Sequence, residues 1–138
     1  MTNSSSSGPL SKTPPNLGSF RFWAVAASAL CFLLAAVWLV RPQLLISIWR
    51  LQTGPTALVL ARRSAALFAG IGIMFWLARA EPPSPARNAL SVGLAAGCLV
   101  LAGLGIADWA NGQVGSGIFL AVLTELALAV GIIASRRA

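Results

Sequence analysis

The chain has 138 residues, 57% of them hydrophobic, and only ten Lys or Arg and three Asp or Glu. A soluble domain carries about 25% charged residues. The 9% here, with a mean hydropathy of +0.81, is too little polar surface for a compact soluble domain and reads as an integral membrane protein. The absence of His removes His-ligated haem, His-based metal sites and Ser/His or Cys/His catalysis. The two cysteines, Cys31 and Cys98, lack CxxC spacing and offer neither a zinc site nor an iron–sulfur cluster. No phosphate-loop or dinucleotide glycine motif occurs, so no cofactor, metal or enzymatic activity is expected.

Residues 1–19 are rich in Ser, Pro, Gly, Asn and Thr, with Lys12 as the one charge. Such a segment buries too little apolar area to offset the entropy of ordering it, and a disordered tail is expected. A spanning helix takes about 20 apolar residues, so residues 20–138 have room for four spans and short loops in one membrane domain, and for no soluble catalytic domain. The expected fold is all-α, a four-helix transmembrane bundle.

The first span is expected at 22–40, between Arg21 and Arg41-Pro42. It is too long for a signal-peptide core, which runs about 7–15 residues before a small-residue cleavage site. Pro42 stops the helix. In the next stretch Leu44, Ile48 and Leu51 fall at i, i+4 and i+7, with Gln43, Ser47 and Arg50 opposite. This predicts a short amphipathic helix lying on the membrane.

The second span is expected at 55–79, with Pro55 in its first turn and Arg62 and Arg63 interrupting the apolar run. The loop AEPPSPAR follows, short enough to make spans two and three antiparallel neighbours. The third span, 88–107, has no charge and returns through Asp108–Gly112; the fourth, 113–134, is interrupted by Glu125. This layout puts Trp23 and Trp76 at one interface, Trp38 and Trp109 at the other and Trp49 in the interfacial helix, as tryptophan prefers.

With the N-terminus inside, the cytoplasmic side carries Lys12, Arg21, Arg79, Arg87, Arg136 and Arg137, against Arg41, Arg50, Arg62 and Arg63 outside. If Arg62 and Arg63 lie within the bilayer the bias sharpens, and both termini are expected in the cytoplasm. The net charge of +7 then reflects topology and contact with anionic lipid. Nucleic acid is not an expected partner, because the charges are spread over separate loops. Weak likenesses between 21–31 and 87–98, and between GIGI at 70–73 and VGII at 130–133, do not establish an internal repeat.

Glu125 is the most informative residue. Mid-span, an ionised carboxylate costs several kcal/mol unless paired, hydrated or neutralised. Gly117, Ala121 and Ala129 lie on its face, a strip that allows close helix approach, so Glu125 is expected to face the bundle interior. Arg62 shares a face with Ala66, Ala69 and Gly70 and is expected to point inward; Arg63 lies with Val59, Leu67 and Met74 and can snorkel outward. A depth offset of roughly 8–10 Å separates Arg62 from Glu125, which two leaning side chains span; Asp108 is an alternative partner. This set reads either as a structural ion pair fixing helix register or as a polar path or ligand pocket. Gly93 and Gly97 form a GxxxG, extended by Gly103 and Gly105, expected to pack within the chain rather than between copies. Cys31 and Cys98 read as small apolar residues in buried helices.

The run LARRSAALFAGIGIMFWLAR, the Pro-rich turn, the Gly-rich third span and a fourth span with a mid-helix Glu and basic end resemble uncharacterised small four-helix bacterial membrane proteins with DoxX-like hydropathy. The resemblance covers about residues 22–137. It implies an inner-membrane bundle of unknown function and supplies no catalytic residues. Two functions fit: a non-enzymatic accessory or scaffold subunit, in a complex or homo-oligomer, and a small transporter or channel whose polar path uses Arg62, Asp108 and Glu125.

Overall fold

The computed structural model describes residues 19–50 and 54–137; the expected N-terminal tail, apart from Ser19, lies outside them. The described residues are all helical or turn: α1 Phe20–Val40, α2 Pro42–Ile48, α3 Pro55–Ala78, α4 Pro85–Ala110, α5 Ile118–Ala134 and a closing 3₁₀ turn Ser135–Arg137. Among them α1, α3 and α4 are long and apolar enough to cross a membrane, which makes this a multi-pass membrane protein by length and composition.

Local chemistry sets the helix ends. Ser19 caps α1, accepting from the Phe22 N–H at 3.3 Å, and Ser84 caps α4, accepting from Arg87 N–H at 3.2 Å; each satisfies a first-turn donor that has no helical partner. Pro42, Pro55 and Pro85 occupy first helical positions, where the missing N–H costs nothing. α4 ends in a Schellman turn: Gly112, with φ 71°, donates to Trp109 O at 2.9 Å, and Gln113 donates to Asp108 O at 2.9 Å. A short helix, α2, is present where the sequence predicts an amphipathic one, and the Trp49 and Trp38 rings meet at a tilt with centroids 5.8 Å apart.

The fourth apolar helix is shorter than expected. α5 starts at Ile118, not 113, and its 17 residues reach about 26 Å, short of a hydrocarbon core of about 30 Å. The lost turn is used for docking. Gly115 N–H donates to Trp49 O at 2.9 Å, and Gly117 lies directly against the Ile48 carbonyl, so 115–117 are tied to the end of α2 instead of continuing a helix.

Packing also departs from the expected neighbours. α3 lies along α1 and α4 along α5; the pairs meet through α1 and α5, and α3 and α4 do not pack along each other despite their short loop. The reason is where the complementary surfaces lie. Phe32 of α1 fills the space over Gly72 of α3, and Ser28 Oγ donates to Gly72 O at 2.9 Å. Ile118 and Val122 of α5 fill the space over Gly105 of α4. Trp23 of α1 lies on Gly131 of α5. The shared core, including Phe20, Ala24, Ala27, Phe75, Cys98, Leu128 and Ile132, draws on all four long helices.

Candidate functional site

Arg62 and Arg63 are both exposed. The inward face of α3 carries Ala61, Ala65, Gly72 and Phe75, one position round from the stripe Arg62–Ala66–Ala69–Gly70. At 100° per residue that single step turns Arg62 outward, which corrects the expectation that it points into the bundle. Glu125 is half-buried on α5, with Ala121 half-buried and Ala129 buried on its face; Gly117 precedes the helix as its N-cap. Asp108 is half-buried in the last turns of α4. Among the described residues no ion pair or hydrogen bond joins Arg62, Arg63, Asp108 and Glu125.

Gly93 and Gly97 are also exposed, and a side chain at either position would meet nothing within 4 Å. Neither packs against another of the described helices. The buried stripe of α4 is Ser91, Ala95, Cys98, Ala102 and Gly105, equally small in side chain and two positions displaced from the GxxxG. Cys31 and Cys98 are buried free thiols. Trp109 contacts Phe119 at 5.0 Å, and Arg79 stacks over Trp76 at 4.0 Å.

The polar cluster that the fold does assemble lies elsewhere, where α1 and α4 begin and α5 ends. Arg87 heads the buried stripe of α4 and is only 7% exposed. Its Nη1 donates to Glu81 O at 3.3 Å and its Nη2 to Ser135 O at 3.4 Å, with its guanidinium 4.2 Å over the Phe20 ring. Ser91 Oγ donates to Arg87 O at 2.9 Å, and Ser135 Oγ to Ile132 O at 3.0 Å. Arg136 contributes a buried Nε with no hydrogen-bond partner among the described residues. Arg87, Arg136, Ser84, Asn88 and Pro83 line a recess of about 190 Å³.

By charge bias alone the sequence places Arg87 and Arg136 on the cytoplasmic side, Arg87 in the Pro-rich loop. The available signal was spacing: Arg87, Ser91, Ala95, Cys98, Ala102 and Gly105 follow one another at intervals of three or four, placing an arginine at the head of the smallest face of the third long helix. Comparison of the chain with protein-family models, curated proteins and solved structures finds no match.

Proposed function

We propose that the chain is a non-enzymatic, small multi-pass protein of a bacterial inner membrane, with both termini cytoplasmic, acting as an accessory or scaffold subunit in a membrane-protein complex or homo-oligomer. One observation carries this reading: Arg62 and Arg63 stand exposed on the outward face of a membrane-length helix, with no counter-ion among the described residues. Arg62 and Arg63 lie about a third of the way along α3. A charge at the centre of a span costs about 2.5–3.5 kcal/mol on insertion scales, less where it snorkels, and intramembrane charges ordinarily pair. A neighbouring subunit offering a carboxylate or polar surface offsets that cost. The exposed Gly93–Gly97 face of α4 gives the same reading independent support, since small residues allow a second helix to approach closely. The resemblance to small four-helix membrane proteins rests on the sequence pattern alone. The transport reading needs Arg62, Asp108 and Glu125 to form one path, and no observed contact favours it.

The test is purification in mild detergent with mass determination. The wild-type chain is expected to elute with one partner, itself or another protein, in fixed stoichiometry. The Arg62→Leu/Arg63→Leu variant is expected to elute alone with unchanged helix content. A wild-type chain that elutes alone, like the variant, would contradict the subunit reading.

A further inference from the structure

A buried cation without a counter-anion is costly, and a buried N–H without an acceptor adds to the cost. Both occur in the recess at the head of α4. Among the described residues, everything the Arg87 guanidinium touches is neutral: two carbonyl oxygens and the face of Phe20. Among the described residues no carboxylate pairs with it. Arg136 brings a second positive charge to the same recess, its Nε buried and without a partner among the described residues. Ser84 and Asn88 add a hydroxyl and a carboxamide to the lining. Two guanidinium groups with neutral donors beside them suit an oxyanion that accepts several hydrogen bonds at once, and a phosphate, with its several oxygens, meets arginine forks bidentately.

The surroundings identify the source of that phosphate. Trp23 and Trp76 lie at this end of the helices, with Arg79 stacked on Trp76 at 4.0 Å, an aromatic–basic combination that sits at lipid headgroup level. Beside the recess an apolar groove of about 590 Å³ runs along α5, lined by Trp23, Val130, Gly131, Ala134 and Ser135 among others. The Trp23 ring forms one wall by packing directly over Gly131, where any side chain would collide with it. Ser135 links the two: it forms part of the groove wall, and its carbonyl accepts from Arg87, which lines the recess. We propose that this end of the molecule is a binding site for an anionic phospholipid, with its phosphate in the Arg87–Arg136 recess and an acyl chain along the α5 groove. The site is independent of the α3 face on which the subunit reading rests.

The experiment follows thermal unfolding of the full chain in dodecyl maltoside during titration with phosphatidylglycerol, phosphatidylcholine or inorganic phosphate. Phosphatidylglycerol is expected to raise the unfolding midpoint saturably, and the other two to give no saturable rise over the same range. Arg136→Gln removes one guanidinium and should raise the phosphatidylglycerol concentration at half-saturation by roughly tenfold or more, the worth of a charge-assisted hydrogen bond. Val130→Trp, at an exposed groove position, fills the acyl path without touching the recess and should weaken the same response. Arg87→Gln is a poorer probe because its two carbonyl contacts also hold the fold. An unchanged phosphatidylglycerol response in both Arg136→Gln and Val130→Trp would overturn the site. An equal saturable rise with inorganic phosphate would overturn the lipid as its source.

Discussion

Glycines separate packing from pattern more sharply than any other residue in this chain. Gly117 has φ −58°, a conformation any residue adopts, so its importance is steric: an added Cβ would run into the Ile48 backbone carbonyl, which cannot rotate away. At Gly97 an added side chain would meet no neighbouring helix or side chain among the described residues within 4 Å. Gly117→Ala should therefore destabilise the chain by about 1–3 kcal/mol, the range for overpacking. Gly97→Ala should leave the monomer unchanged or slightly more stable, since alanine favours helix by about 1 kcal/mol. Thermal unfolding of the two variants in detergent checks the pair; a larger loss for Gly97→Ala in a monomeric preparation would contradict this packing. Arg50 is a different case. It sits at φ 56° just after α2, a left-handed position that disfavours a side chain, with its aliphatic stem against Gly115.

The helices themselves were legible because their signals are local. The apolar runs, Pro42 after the first and Pro55 in the first turn of the second lie within a few residues of the boundaries they set. The α4–α5 turn is a clear instance: Asn111-Gly112 supplies the left-handed residue that a Schellman turn needs. Gly112→Val should cost about 1–2 kcal/mol through φ alone, seen as a lower unfolding midpoint with the α2 contacts intact; an unchanged midpoint would mean the turn is not held as described. The start of α5 was not legible, because a helix extending back to Gln113 is locally acceptable and only the distant Trp49 carbonyl and Ile48 backbone displace it. Orientation is an element-scale prediction too. Cytoplasmic reporters should be active when fused near Ser84 and at the C-terminus, and inactive near Gly112; the reverse pattern would invert the topology.

At the scale of the whole molecule the chain is two helical hairpins in space, α1 with α3 and α4 with α5, meeting along α1 and α5. The Gly72–Phe32 contact belongs to one pair and the Gly105–Val122 contact to the other. Gly72→Val and Gly105→Val should each destabilise by about 1–3 kcal/mol, and their double variant should be additive within about 0.5 kcal/mol, as for sites without shared partners. Strong coupling between them would indicate one tightly interlocked bundle. The amino-acid sequence alone determined the membrane class, the helical content and the approximate position of each apolar helix, because bulk hydropathy and local capping depend only on neighbours along the chain. Tertiary structure alone decided which face of each helix turns inward, and so that Arg62 lies outside while Arg87 lies within. Successive residues on a helix are 100° apart, and α3 and α4 each carry more than one stripe of small residues. Nothing local distinguishes those stripes until Phe32, Ile118 and Val122 on neighbouring helices occupy one of them.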